Sequence, residues 1–249
     1  MQDTYVLFIG GWNGNNRISD VYVYDTKNNE ILNTRTSGFP NGAGLSSHAC
    51  NNLSDNSIII FGREGSLRVQ RKYGNCFLLK GSIKSLVYKY EELEVDTASR
   101  SGHATLSIDK NHIIVIGGRK DKVTEIHKFQ TNDVVVHENL IWKELNSFVL
   151  DKNLEFKKSP GGRRFSAIIK IGDFCLIHAG ETFDSHFRAP QQDLIILQLS
   201  TMKWYNMGDC GINIQNHTIS CVNKRLIIVG GLVLNNKINE KTYELTLND

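Results

Sequence analysis

Three histidines sit in matching contexts along the 249-residue chain: His48 in "SSHAC", His103 in "SGHAT" and His217 in "QNHTI". Neutral imidazole is a common metal ligand and a general base near neutral pH. Three imidazoles meeting at one point would hold a transition metal, and the chemistry would be that of a metal-dependent hydrolase or lyase. Zinc needs its ligands about 2 Å from a single point, a demanding condition for residues from three distant segments. Their recurrence in similar surroundings favours a packing or hydrogen-bonding role repeated along the chain. The sequence holds no G-x-S-x-G elbow, no G-x-x-x-x-G-K-[ST] phosphate loop and no G-x-G-x-x-G turn. No catalytic residue, metal or cofactor is therefore expected, with the histidine metal site kept as the alternative.

The histidines keep step with a second marker. Short apolar runs drive into glycine five times, in "VLFIGGWNGN", "SIIIFGREGS", "HIIVIGGRKD", "CLIHAGETFD" and "LIIVGGLVLN". The run-ending glycines are Gly11, Gly62, Gly118, Gly180 and Gly231, which stand 51, 56, 62 and 51 residues apart. His48, His103, Phe165 and His217 precede the last four by 14 or 15 residues. After each glycine comes another apolar run ("DVYVYD", "GNCFLL", "VTEIHKF", "QDLIILQL", "KTYELTL"), then a fourth such as "NEILNTR", "SLVYKYEE", "DVVVHEN" or "KWYNMG". Four short strands every fifty or so residues make one blade of a β-propeller. Glycine at the end of the second strand admits positive φ and close backbone approach.

The period, the "FIGG" and "VIGG" doublets, the "VYVYD" strand and the "KW" pair resemble kelch repeats across essentially the whole chain. Phe61 and Ala179 stand where the first glycine of the doublet is usual, Phe165 stands where a histidine is usual, and the fourth-strand tryptophan is clear only at Trp204. The fold class expected is all-β: one kelch-type propeller domain over 1–249, of four-stranded antiparallel blades at about 1–41, 42–96, 97–137, 160–208 and 212–249. The resemblance implies a sixth, N-terminal blade. The first repeat has no innermost strand in this sequence and the last has no fourth, so an exposed inner edge is expected beside the first blade, as in a truncated or divergent ring. The segment 138–159 reads as a helical insertion. Leu140, Ile141, Leu145, Phe148 and Val149 share one side of a helix over 138–152, with Glu138, Lys143, Glu144 and Lys152 opposite. That helix would cover the ring's edge or, alternatively, dock a partner.

Composition narrows the rest. Hydrophobic residues make up 40% and charged residues 22%, as expected of a chain with a packed core. No apolar run is long enough to span a membrane and no signal peptide is recognisable at the first residues. The five cysteines are odd in number and form no C-x-x-C pair, which favours the cytoplasm, with the nucleus as alternative. A net charge of +3 is too small to point to nucleic acid. Its distribution is uneven, because the resemblance puts second-to-third-strand loops and interblade connections on one face. Arg17, Arg68, Arg119, Lys120, Arg163, Arg164 and Arg188 fall there, as do Arg63, Arg71 and Arg100, which lie close to turns and alternatively brace the blades. Glu64, Asp121, Glu181 and Asp184 are the acidic residues on that face. The chain is thus expected to be a monomeric, non-enzymatic adaptor or substrate receptor that binds an acidic peptide or protein segment through those seven basic residues.

Overall fold

The structure, a computed structural model, describes residues 4–54, 56–62, 76–93, 100–107, 112–120, 134–138, 141–145, 163–184, 187–201 and 203–245. Strands dominate, and a single 3-10 turn at Leu234–Asn236 is the helical element among these residues. No helix among them is long and apolar enough to cross a membrane. The chain divides into two compact units, Met1–Ser101 and Gly102–Asp249.

The first unit holds two sheets. One has three antiparallel strands in chain order, Tyr5–Trp12, Arg17–Asp25 and Glu30–Leu32. The other runs Ala49–Ser54, Ser57–Phe61, Cys76–Ser82 and Val87–Glu92, and a fifth strand, Arg35–Ser37, joins its outer edge in parallel. The core between the sheets comes from alternate residues of each. Val21 and Val23 of the first meet Ile60, Phe77, Leu79, Tyr88 and Tyr90 of the second. Phe39 adds a T-shaped contact to Tyr90, with ring centroids 4.9 Å apart.

Among the described residues the second unit holds three sheets with the same meander and a two-stranded hairpin, Glu181–Asp184 with Phe187–Pro190. The first comprises Ala104–Ser107, His112–Ile116, Val134–Glu138 and Ile141–Leu145. The next comprises Ala167–Ile171, Phe174–His178, Asp193–Gln198 and Lys203–Asp209. In the last, Gln215–Val222 pairs with Arg225–Val233, which pairs with Tyr243–Leu245 and with the short Lys237–Ile238. The central strands of the first two of these sheets are buried on both faces along Ile113–Ile116 and Cys175–His178, so they read as continuous apolar runs. The period-2 pleat splits such a run between neighbours. Cys175 and Ile177 pack with Ile114 and Ile116 of the preceding sheet, while Leu176 packs with Ile219, Leu226 and Ile228 of the following one. These are propeller blades, all-β and four-stranded where complete.

Two expectations change. The helix over 138–152 is replaced at Ile141–Leu145 by a strand that pairs with Val134–Glu138, from His137↔Trp142 to Val134↔Leu145. Residues 146–159 lie outside the described residues. A five-residue stretch with apolar residues only at Ile141, Trp142 and Leu145 fits either periodicity, and here the ladder hydrogen bonds of a sheet edge decide it. "DVVVHEN" is consequently the third strand in its sheet, not the fourth, and "VTEIHKF" lies outside the described residues. Trp142 takes the second position of a fourth strand, opposite His137, as Trp204 does opposite Leu197. Trp204 is fully buried in the core between two blades of this unit. Trp204→Ala should lower unfolding free energy by about 3–5 kcal/mol through cavity formation, measured by urea denaturation with an unchanged m-value; a loss under 1 kcal/mol would contradict this packing.

Candidate functional site at the blade entries

Each innermost strand is entered through one residue with left-handed backbone. Ser47, Gly102, Phe165 and Asn216 have φ of 54°, 65°, 58° and 55°. The residues that follow are His48, His103, Ser166 and His217. Phe165 is therefore the counterpart of the left-handed residue, and Ser166 stands where the other repeats have histidine. The expectation for Phe165 was one position out because the spacing to the glycine varies by one residue among blades. Within the second unit the left-handed residues are linked by backbone hydrogen bonds. Phe165 N–H donates to Gly102 O at 2.7 Å, and Asn216 N–H donates to Phe165 O at 2.9 Å.

The glycine ending each second strand closes the same junction from the other side. Gly118 N–H donates to Arg163 O at 2.8 Å and Gly180 N–H to Ile214 O at 2.9 Å; in the first unit, Gly11 N–H donates to Leu45 O at 2.7 Å. A Cβ on Gly118 would lie 2.7 Å from His103 Cβ, on Gly180 2.2 Å from Ser166 Oγ, and on Gly231 2.8 Å from His217 Cβ. Glycine and histidine keep phase because one makes room for the other. Gly62 is one step off this series. The pairing Ala49↔Phe61 matches Ala104↔Ile116 and Thr218↔Val229, so Gly62 corresponds to Gly117 and Gly230, and Arg63 follows in the second position. Its φ of 69° agrees with 70° and 71° at those two glycines.

The histidines do different work. Burial pushes the His48 pKa down to about 4, opposed by a hydrogen bond to the Ile9 backbone. His217 Nε2 shares a 2.9 Å hydrogen bond with Nδ1 of His178, ring against ring at 88°. Burial lowers the pKa of His178 to about 4 and that of His217 to about 3. At His178 the Asp193 carboxylate opposes this shift, while the Arg163 guanidinium adds to it; at His217 the neighbouring His178 adds to it. His178 was missed by repeat logic. Its signal in the sequence is an imidazole at the place where the other repeats carry Ile9, Phe61, Ile116 and Val229. Among the described residues no three histidine, cysteine or carboxylate groups converge as metal ligands.

The basic residues divide sharply. Arg163 and Arg164 are buried at 5% and 9% exposure. Arg163 grips Asp193 through two hydrogen bonds of 2.8 and 3.0 Å and reaches Ala179 O at 3.3 Å. Arg164 Nε donates to Glu181 Oε2 at 2.7 Å, and its guanidinium lies 4.6 Å from the centroid of the Phe165 ring. Both guanidinium groups are committed to carboxylates of their own blade. Arg100 is also fully buried, as a brace would be. Arg17 is half-buried, donating from Nε to Ser46 Oγ at 2.8 Å and lying 5.7 Å from the Trp12 ring centroid. Arg119 and Lys120 form a short strand immediately after Gly118. Arg188 lies in a hairpin beyond Gly180, opposite Phe183. Arg63, Arg68 and Arg71 lie outside the described residues.

These blades, with a glycine closing each second strand and histidine or serine beside it, define a chain of the β-propeller class. The Kelch motif family matches residues 2–30. Over the whole sequence the chain is similar to kelch domain-containing protein 9 of Homo sapiens. The two are 27% identical over 242 residues, covering 91% of this chain and 69% of the relative. The Mus musculus protein of the same name is equally similar, with the same identity and coverage. The solved structure of YjhT superposes with a TM-score of 0.73 over 98% of this chain and 82% of that one, at 15% identity, which speaks for the fold alone.

Two outcomes test the junction. Arg163→Leu should destabilise by about 3–5 kcal/mol because the Asp193 carboxylate is left unpaired at a largely buried site, and adding Asp193→Leu should recover most of the loss. The histidine pair sets a pH window. Its folded pKa values lie below the ordinary 6.5, so the unfolded chain binds more protons and stability falls as pH drops below about 6.5. A His178→Gln/His217→Gln variant should show a flatter dependence of Tm on pH between 6.5 and 5, where carboxylates contribute little.

Proposed function

We propose that this chain is a non-enzymatic protein-interaction module whose basic blade loops engage an acidic peptide or protein segment. Kelch-repeat propellers are generally protein-interaction modules, and that supports the coarser part. The observation that carries the finer part is where the cations stand relative to the glycine turns. Arg119 and Lys120 directly follow Gly118, Arg188 lies in the hairpin beyond Gly180, and Arg17 leads the strand that follows the Gly10-Gly11 turn. Each belongs to a second-to-third-strand connection, the element that leaves a blade at its glycine-turn end. Arg68 belongs to the same kind of connection by sequence. Arg163 and Arg164 drop out of the contact set, because their charges are neutralised within the blade. An acidic segment would be drawn by long-range attraction that weakens as salt rises, exposed charges being screened beyond about 8 Å at physiological ionic strength. An adaptor or substrate-receptor role in the cytoplasm or nucleus is consistent with such a face.

The test is a triple reversal, Arg119→Glu, Lys120→Glu and Arg188→Glu, with binding of poly-glutamate read by interferometry against salt. Binding by the parent protein should fall with salt and the reversal should abolish it, while the thermal transition stays in place. Salt-independent binding that survives the reversal would overturn the basic face.

A further inference from the structure

We propose that Trp12 and Arg17 form an anchor for the acidic partner, Arg17 gripping one carboxylate while Trp12 covers an aromatic side chain two residues away from it. The inference rests on the basic-loop reading above and adds the kind of segment bound: an acidic residue with an aromatic neighbour at that spacing. Trp12 and Arg17 are partners across the last rung of the ladder between Tyr5–Trp12 and Arg17–Asp25. The turn between them is closed by its own groups. Asn13 Oδ1 accepts from the N–H groups of Asn15 and Asn16 at 3.0 and 2.8 Å, and Asn13 N–H donates to Asn16 O at 3.1 Å. A hydrogen-bonded hairpin thus presents both side chains.

Arg17 is also fixed by the segment that leads into the second sheet. Its Nε donates to Ser46 Oγ at 2.8 Å, and Gly44 packs so closely that a Cβ there would lie 2.2 Å from Arg17 O. Leu45, between those two residues, bridges to Ile18 and donates its N–H to Ile18 O at 2.9 Å. Among the described residues neither Nη1 nor Nη2 of Arg17 has a hydrogen-bond partner and no carboxylate pairs with it, unlike Arg163 and Arg164. A guanidinium with Nε already engaged offers its two Nη groups as a planar fork, which binds a carboxylate through two parallel hydrogen bonds. Because the side chain is ordered beforehand, less rotamer freedom is lost on binding. Trp12 lies beside it, 59% exposed. A tryptophan of this kind gains most when a partner's apolar group covers it, and tryptophan and arginine are the residues most often found as binding anchors. In an extended segment, residues i and i+2 point the same way about 6.6 Å apart. That spacing is close to the 5.7 Å between the Arg17 guanidinium and the Trp12 ring centroid, so one stretch of peptide can supply both groups.

The probes are two peptides with equal numbers of glutamates, titrated onto the full chain by interferometry. One carries phenylalanine two residues after its central glutamate, and the other carries serine there. The parent chain should bind the phenylalanine peptide about tenfold more tightly. Trp12→Ala should erase that preference, while binding of the serine peptide and its fall with salt persist. Arg17→Lys keeps the charge but loses the fork, and should weaken both peptides by about fivefold or more. Acrylamide quenching reads the contact in the parent chain itself: the phenylalanine peptide should shield tryptophan fluorescence more than the serine peptide does, and Trp12→Phe should remove the difference. Equal affinity of the parent for two peptides whose binding falls with salt would overturn the anchor and leave the basic-loop reading standing. A phenylalanine preference that survives Trp12→Ala would do the same. If neither peptide binds in a salt-dependent way, the basic-loop reading fails and the anchor with it.

Discussion

The junction between successive blades depends on one backbone contact: a left-handed residue at the head of an inner strand hydrogen-bonded to its equivalent in the blade before. Phe165 holds Gly102 in this way and Asn216 holds Phe165. Left-handed backbone is costly for phenylalanine, of order 1 kcal/mol or more, and it persists here because the surroundings fix it. Arg164 pairs with Glu181 through backbone and side chain and stacks on the Phe165 ring. Once these positions are set, the inner strands must enter side by side. The glycine turn of each blade then has a fixed place to donate its N–H, and the apolar faces of neighbouring sheets come into register. Hydrophobic burial supplies the driving force, but it is non-directional; the polar junction decides which sheet face meets which.

Much of this was legible in the residues. Apolar runs ending in glycine gave the second strands, and their spacing gave the blade. Third strands such as Cys76–Ser82 and Asp193–Gln198, and fourth strands such as Val87–Glu92 and Lys203–Asp209, lie where the turn signals put them. Errors arose where local pattern underdetermines geometry. Spacing alone cannot separate Phe165 from Ser166 or Phe61 from Gly62, because a single-residue shift in one loop is invisible until the ladder register is known. The run "IWKEL" has apolar residues that suit both a helix face and a strand, and the neighbouring strand's need for a partner is a tertiary fact. Arg35–Ser37, which adds in parallel to the second sheet, carries no apolar signature at all.

The arginines show the same limit in electrostatic form. Arg163 and Arg164 look alike in sequence to loop cations, and a count of charges assigns them to a surface. What removes them from it is the placement of Asp193 and Glu181, 30 and 17 residues further on, at the start of a third strand and just beyond a glycine turn. A buried pair of this kind contributes little net stability over an apolar substitute, since desolvation offsets most of the attraction. Its effect is specificity: a guanidinium without its carboxylate is intolerable at this depth, so alternative registers of the blade entry are disfavoured. His178 and His217 act similarly with a single shared hydrogen bond.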